Sequence, residues 1–358
     1  MKRLVLSVLL FAACGSDGGG NPMSTPDGGS CEADVMTDVH NCGRCGHDCL
    51  GGECMAGQCQ PVSIVTTQSH PTTLAADSNA IYWADSSSSG TGNSIMRLAK
   101  AGGGQPTSLG NVPSMVVNIA ANDGGSVYAE TFTDIFIVDK QGATAPMSTF
   151  TSSLTLSALA VDDTFLYWGY DGAQADYAIQ RRPIAGGVPN DLVGGVAAVH
   201  AFRIADGFLY YVSSSEDPSQ PDAVMKVPTT GGTPTTLAAN LHRAFDIAVD
   251  HEGVYFTVHS LDSAGLPLND GSIMKVGLDG TGLTTLAPNQ TAPSNITVAS
   301  GQLYWTNRLG NNVSTLPTSG GTAQILAANR QLPIRVLADD VALYWIDYNA
   351  GKILRLAR

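Results

Sequence analysis

Seven copies of one short aromatic motif predict that residues 61–358 fold as an all-β protein, a seven-bladed β-propeller. The motif is an apolar residue, a tyrosine and usually a second aromatic residue, and it recurs at intervals of 39 to 49 residues. Such an interval accommodates four short strands and their turns, which make up one propeller blade of four antiparallel strands. Glycine pairs recur in the same turn of several copies, where a positive φ angle suits glycine.

The repeat tyrosines define the seven copies. All four tryptophans of the chain directly follow one of them. In the fifth copy, residues 247–250, 254–257, 272–276 and 283–286 are predicted to be strands A to D, with strand A next to the central axis. The tyrosines are Tyr82, Tyr128, Tyr167, Tyr210, Tyr255, Tyr304 and Tyr344.

The sixth copy, Leu-Tyr-Trp-Thr-Asn at residues 303–307, resembles the YWTD propeller repeat of LDL-receptor-type domains. The resemblance covers about residues 62–358 and implies the propeller architecture. This chain departs from that family in two ways. The family usually has six blades, whereas seven copies are present here, and an aspartate closes the motif only in the first and last copies, as Asp85 and Asp347.

The ends of the repeat region predict how the ring closes. The last copy stops after its third strand, while an unassigned strand-like segment at residues 62–66 precedes the first copy. We expect this N-terminal segment to complete the seventh blade and so to remove two open sheet edges.

The first thirteen residues predict a signal peptide, because Lys2 and Arg3 precede a short apolar run. The residues before Cys14 resemble the bacterial lipobox, although Phe11 stands where the usual residue is leucine. That resemblance implies a lipidated Cys14, and the alternative is an ordinary secretory peptide with a free Cys14. Because Gly15 is not the aspartate typical of inner-membrane retention, we expect an outer-membrane location, with the side of that membrane left open.

Composition limits the partners that the chain can have. The formal net charge is −13, and it becomes −15 when the two basic residues of the signal peptide are removed. Such a charge argues against nucleic acids and against electrostatic binding to anionic lipid, so contact with the membrane is expected through the lipid alone. Residues 14–30 are rich in Gly, Ser, Asp and Pro and are predicted to be a flexible tether.

Residues 31–60 are predicted to be a small disulfide-rich stalk module. Once Cys14 is set aside, six cysteines remain and all fall in this segment. Three disulfides are expected in an exported chain, and the sequence leaves their fifteen possible connectivities open. Zinc is the alternative, since Cys42 and Cys45 have ligand spacing and His40 and His47 are near them. The six cysteines are Cys31, Cys42, Cys45, Cys49, Cys54 and Cys59.

An aspartate precedes most of the repeat tyrosines by five residues and could suggest a metal site. The structural interpretation is preferred, because these aspartates are predicted to lie in the A–B turns, where a carboxylate caps backbone N–H groups. The aspartates are Asp77, Asp123, Asp162, Asp250 and Asp339, with Asp206 one residue closer to its tyrosine.

Candidate binding residues lie at one mouth of the central channel. The residue before the main aliphatic residue of strand A is Arg, Asp or Asn in five copies, and His70, His200 and His242 lie in the adjoining D–A connections. Propeller lactonases and antibiotic-inactivating lyases place metal ligands or a catalytic histidine at such a mouth, but two arginines here would repel a cation. The candidates are Asn118, Arg203, Asp246, Asn295, Arg335, His200 and His242.

The sequence therefore favours a binding protein displayed at the cell envelope over an enzyme. No catalytic residue, metal or cofactor is predicted, since no nucleophile-elbow, phosphate-loop or zinc-protease motif is present. The expected partner is a protein, glycan or small ligand at the face that carries the D–A connections and the long B–C loops. The alternative is a propeller lyase or hydrolase that uses the channel mouth.

Overall fold

The computed structural model describes residues 34–86, 93–101, 104–142, 147–152, 154–171, 177–214, 221–259 and 269–358, together with a strand pair formed by Met23–Ser24 and Ser30–Cys31. The chain divides into two compact units, residues 1–60 and 61–358. The predicted signal peptide, Cys14 and most of the tether lie outside the described residues. In the described part of the chain, no helix is long and apolar enough to cross a membrane.

Disulfide bonds hold the first unit, as its small size requires. Cys42 is bonded to Cys54 and Cys49 to Cys59, and Cys45 is also disulfide-bonded. The strands Cys54–Met55 and Gln58–Cys59 form a short hairpin between the two described bridges. The prediction of a disulfide-rich segment is confirmed. The zinc alternative is wrong, because Cys42 and Cys45 are both oxidised; the side chain of Cys31 lies outside the described residues.

The second unit is a propeller of seven four-stranded antiparallel sheets, which confirms the predicted fold. Consecutive A strands contact one another around the axis, and the A strand of blade 7 contacts that of blade 1. In chain order, the A strands are Pro71–Ala76, Val116–Ala121, Thr155–Val161, Ala198–Ala205, Ala244–Asp250, Pro293–Ala299 and Pro333–Ala338. The B strands are Ala80–Ser86, Ser126–Thr131, Phe165–Asp171, Phe208–Ser214, Gly253–Val258, Gln302–Asn307 and Ala342–Asp347.

The outer half of each blade consists of strands C and D. The C strands are Asn93–Ala99, Asp134–Asp139, Tyr177–Pro183, Asp222–Pro228, Gly271–Val276, Asn312–Pro317 and Lys352–Ala357. The D strands of blades 1 to 6 are Thr107–Val112, Met147–Thr151, Asn190–Val196, Thr235–Leu241, Thr284–Gln290 and Gln324–Ala327. A 3-10 turn, Tyr348–Ala350, precedes the last strand.

The N-terminal strand closes the ring as predicted. Val62–Val65 is the fourth strand of blade 7 and runs antiparallel to Lys352–Ala357, with Val65 opposite Ile353 and Val62 opposite Arg355. Val65 is buried, with 3% of its surface exposed. The strand therefore covers both the backbone edge and part of the apolar face of the last blade.

The aromatic repeat provides the core of the blades. All four tryptophans are at most 1% exposed, and the repeat tyrosines are nearly as buried. Burying one such ring removes a large apolar surface from water, which stabilises the fold by roughly 1.5–3 kcal/mol. The tryptophans are Trp83, Trp168, Trp305 and Trp345.

Four of the recurring aspartates, Asp77, Asp162, Asp250 and Asp339, cap their own A–B turns as the structural interpretation predicted, whereas Asp123 accepts a hydrogen bond from the backbone N–H of Ser78 in blade 1. Asp162 accepts hydrogen bonds from the backbone N–H groups of Thr164 and Phe165 and from the Tyr167 hydroxyl. Asp77 and Asp250 make the equivalent three bonds in their own blades. In these three blades the aspartate thus fixes the A–B turn and gives the buried tyrosine hydroxyl its acceptor.

Basic side chains pack on aromatic rings at the same end of the blades. Lys140 of blade 2 lies over the Tyr82 ring of blade 1 and pairs with Asp77 at 2.6 Å. Three of the pairs join neighbouring blades, because Lys100, Lys140 and Arg358 lie over rings of the adjacent blade, and the other three pairs pack within one blade. The cation–ring pairs are Lys100 with Tyr344, Lys140 with Tyr82, Arg181 with Phe165, Lys226 with Phe208, Lys275 with Tyr255 and Arg358 with Tyr304.

Candidate functional site: a polar belt in the propeller channel

The seven A strands enclose a central cavity of about 1290 Å³. Its wall contains residues from every A strand, with alanines such as Ala75, Ala120 and Ala160 along the part nearer the A–B turns. The opposite end, where the D–A connections and B–C loops lie, is called the channel mouth below. Four of the five polar candidates from strand A lie near this end, and Arg203 lies deeper in its strand.

Asp246 is the centre of the contacts in the channel. Its carboxylate accepts hydrogen bonds from Nη2 of Arg203 at 3.0 and 3.2 Å, from Nδ2 of Asn295 at 3.1 Å and from the backbone N–H of Ile296 at 3.0 Å. Asp246 is 3% exposed, so these bonds compensate for its loss of solvent. One carboxylate therefore connects blades 4, 5 and 6.

Arg335 extends the network across the channel. Its backbone N–H donates to Oδ1 of Asn295 at 3.1 Å. Its Nη2 group donates to the carbonyl of Val117 at 3.2 Å and to Oδ1 of Asn118 at 3.3 Å, which belong to blade 2. Because blade 1 separates blades 7 and 2 in the ring, the Arg335 side chain spans part of the channel. We call the five linked residues Asn118, Arg203, Asp246, Asn295 and Arg335 the polar belt.

Glu130 is a functional candidate that the sequence analysis missed. It lies on strand B of blade 2, opposite Asn118, and Nδ2 of Asn118 donates to its Oε2 at 2.5 Å. Burial raises the pKa of Glu130 to about 8, against the lowering effects of the Asn118 hydrogen bond and the Arg335 charge. Aligning the copies could have revealed it, because the residue two after the repeat tyrosine is apolar, glycine or threonine in every other blade.

The position of Arg203 in its strand differs from the predicted one. Arg203 pairs with the repeat tyrosine Tyr210, as Ala75 pairs with Tyr82, whereas Ala201 stands where the other candidates do. The sequence register of blade 4 was therefore wrong by two residues. Arg203 nevertheless reaches Asp246, because its long side chain covers the difference.

The rim of the mouth combines exposed and half-buried side chains from blades 4 and 5. His242, Arg243 and Phe245 are exposed, and all three line the cavity. His200 lies inside the mouth, with Nε2 at 3.1 Å from Oγ of Ser214. The two predicted histidines are thus at the mouth but do not join the polar belt through any hydrogen bond between described residues.

His259 was also missed by the sequence analysis. Its ring packs against Phe245 at 5.8 Å between centroids, and its backbone N–H donates to the carbonyl of Arg243. Burial lowers the pKa of His259, and the positive charges of Arg243 and Arg308 lower it further, while Asp270 opposes them. This imidazole is therefore neutral at pH 7, and Arg243 adds a positive charge beside it.

The described residues do not place carboxylates and imidazoles together as metal ligands. Within them, the single group of three potential ligand side chains close enough for one ion is Cys42, Cys49 and Cys54, which are disulfide-bonded. Most of the long B–C loops, residues 87–92, 172–176, 215–220 and 260–268, lie outside the described residues.

Comparisons with known proteins support the β-propeller fold. No protein-family model matches this chain, and no curated protein matches it. Among solved structures, a catalytically inactive virginiamycin B lyase from Staphylococcus aureus with quinupristin is 13% identical, at a TM-score of 0.60, and the match covers 84% of this chain and 98% of the other. The Pan2 WD40 domain of Neurospora crassa is 7% identical, at a TM-score of 0.60, with coverage of 80% and 89%.

A nidogen/laminin complex structure also matches, with 14% identity over 65% of this chain and 90% of the other, at a TM-score of 0.46. A TM-score below 0.5 does not establish that the two structures share a fold. The two better matches have identities far below 25%, so they support the β-propeller fold and assign no activity to this chain.

Proposed function

We propose that the propeller binds a small ligand at the channel mouth. The observation that carries this proposal is the polar belt, in which the side chains of five blades converge on one cavity of about 1290 Å³. Known ligand sites are concave cavities of this order, with apolar walls and a few convergent polar groups that orient the ligand. The alanine-lined channel and the belt provide both features on a rigid scaffold.

The rim adds an exposed aromatic side chain to the mouth. Phe245 is 46% exposed at the mouth, beside Arg243 and His259. An exposed aromatic ring next to a cationic group provides stacking area and orientation for a bound molecule. A ligand seated on the polar belt would contact this rim as well.

The first test is retention of a ligand by the full-length protein. Detergent-solubilised protein is incubated with a small-molecule extract of Gram-negative cell envelopes, and bound mass is measured by native mass spectrometry. We expect an adduct that Phe245→Ala weakens several-fold. Leu283→Ala is the matched control, since Leu283 is 45% exposed on the same blade but in its C–D turn. Equal retention by both variants, or no adduct with the unaltered protein, would contradict the proposal.

A lyase or hydrolase is the second candidate. His200 lies beside the Ser214 hydroxyl in the mouth, which is the side-chain pairing that nucleophilic hydrolysis uses, and the virginiamycin B lyase shares the fold. No carboxylate among the described residues hydrogen-bonds to His200 to orient it, so binding is the better-supported function. The same experiment distinguishes the two, because an enzyme would release a ligand of altered mass.

We further propose that the protein is exported and held at the outer membrane by a lipid on Cys14. This rests on the basic and apolar start of the chain and on the cysteine that follows it. The six-cysteine module supports export, because its disulfides persist in an oxidising compartment.

Substitution of the acceptor residue tests the anchor. Cys14→Ala is expected to move the protein from the detergent phase to the aqueous phase in a Triton X-114 partition, because a lipid chain contributes most of the transfer free energy. Recovery of the variant in the same phase as the unaltered protein would rule out lipidation at Cys14.

A further inference from the structure

We propose that the ligand of the channel mouth is an anion, specifically a carboxylate attached to an apolar body, and that Arg335 holds its charge. This inference rests on the proposed function of the mouth and deepens it by naming the class of ligand. It follows from a count of charges and hydrogen-bond donors in the polar belt.

The belt contains two guanidinium groups and one carboxylate. Arg203 pairs with Asp246 at 3.0 Å, and the same carboxylate also accepts two bonds from blade 6. Arg335 has no ion pair with any described residue, and the two acceptors of its guanidinium, the Val117 carbonyl and the Asn118 amide oxygen, are neutral. The belt thus carries one more positive charge than negative charge.

Glu130 is the other carboxyl group near the Arg335 guanidinium, and at pH 7 it does not neutralise the charge of that guanidinium. It lies behind Asn118, fully buried, and its raised pKa keeps it mostly protonated. A positive charge enclosed by protein is costly unless a negative partner compensates for it. A bound carboxylate would provide that partner.

Arg335 also has unused donors. A guanidinium carries five N–H groups, and the two hydrogen bonds recorded for Arg335 both come from Nη2. Its Nε and Nη1 groups bond to no described residue, although the side chain lines the cavity. A planar carboxylate matches two such donors at once, which favours it over a neutral oxygen.

The surroundings of the belt indicate the rest of the ligand. Arg243 is exposed at the rim and forms no ion pair with a described residue. Among the described residues that line the cavity there are three arginines, Arg203, Arg243 and Arg335, and two carboxylates, Asp222 and Asp246, so the lining has a positive excess although the whole chain carries −13. Beyond the belt, Ala120 and Ala160 make the channel wall small and apolar. These features suit an anionic head and an apolar tail.

A pair of probes that differ only in charge tests the inference. Binding of 4-phenylbutyrate and of its neutral amide, 4-phenylbutanamide, to the full-length protein is measured by titration calorimetry at pH 7. We expect the carboxylate to bind at least tenfold more tightly than the amide, and Arg335→Gln to bring this ratio close to one. Arg44→Gln, which removes the same charge from the exposed surface of the cysteine module, should leave the ratio unchanged.

A second variant covers the case in which Arg335→Gln does not fold. Arg243→Gln alters an exposed side chain and is expected to lower the ratio about threefold by weakening the positive field at the rim. Equal affinity for the two probes would overturn the anionic class while leaving ligand binding intact. Binding of neither probe would overturn it as well, and the envelope-extract adduct then decides whether the proposed function fails with it.

Discussion

Deletion of residues 61–68 is expected to lower the stability of the propeller by a large part of its total. The deleted segment contains Val62–Val65, the fourth strand of blade 7. Its loss would remove several ladder hydrogen bonds at about 1 kcal/mol each and the burial of Val65 at roughly 1.5–3 kcal/mol. It would also expose the edge of Lys352–Ala357. Domains of this kind have total stabilities of about 5–15 kcal/mol.

Chemical denaturation followed by tryptophan fluorescence measures the effect, since all four tryptophans lie in the propeller core. The matched control is deletion of residues 15–60, which removes the tether and the separately compact cysteine module. We expect the control to unfold near the midpoint of the unaltered protein and the 61–68 deletion to unfold at a much lower denaturant concentration. Equal midpoints for the two deletions would show that the N-terminal strand contributes little to closure.

The stability of the protein is expected to fall between pH 5 and pH 9 because of Glu130. The pKa of this carboxyl is about 8 in the folded protein, against an ordinary value of 4.5. Between these values the folded state keeps a proton that the unfolded state has lost, so the free energy of unfolding decreases as pH rises. At about 1.4 kcal/mol per pH unit over roughly three units, the expected loss is about 4 kcal/mol.

The comparison with Glu130→Gln isolates this effect. Other groups titrate in the same range, and the lowered pKa of His259 acts in the opposite direction by increasing stability as pH rises through about 6.5. The difference in unfolding free energy between the two proteins should therefore be measured at each pH. As pH rises, the glutamine variant should become more stable relative to the unaltered protein, because the amide cannot ionise beside Asn118. A constant difference from pH 5 to pH 9 would show that Glu130 is ionised in the folded state.

The repeat made most of the fold predictable from sequence. A buried tyrosine at a fixed place in each blade, followed by a second aromatic residue in six of the seven, reveals the period. The extra strand before the first copy and the missing fourth strand of the last copy predict how the ring closes. Both features can be read from the sequence. The closing strand, Val62–Val65, pairs with the third strand of blade 7, as the number of strands in the last copy predicted. The turn-capping role of Asp162 was predictable for the same reason, since its partners are within five residues.

The sequence predictions that were wrong or incomplete involve either an irregular strand or a contact between residues that are far apart in sequence. In blade 4 the aromatic Phe202 stands where other blades have an aliphatic residue, and Ala201 adopts a left-handed φ of 49°, so aligning on Ile204 shifted Arg203 by two positions. The bond from Arg335 to Asn118 joins residues 217 apart in sequence, and no local pattern encodes it. Disulfide connectivity is likewise not readable from spacing alone.

The binding of a ligand at the channel mouth is tested most directly by hydrogen exchange of the full-length protein with and without the envelope extract. Slower exchange is expected in the A strands that carry the polar belt, above all Ala244–Asp250, Pro293–Ala299 and Pro333–Ala338, because a ligand seated there restricts local opening. The outer D strands should exchange as before. Protection confined to the D strands or to the A–B turns, or no protection at all, would contradict the assignment of the channel mouth as the binding site.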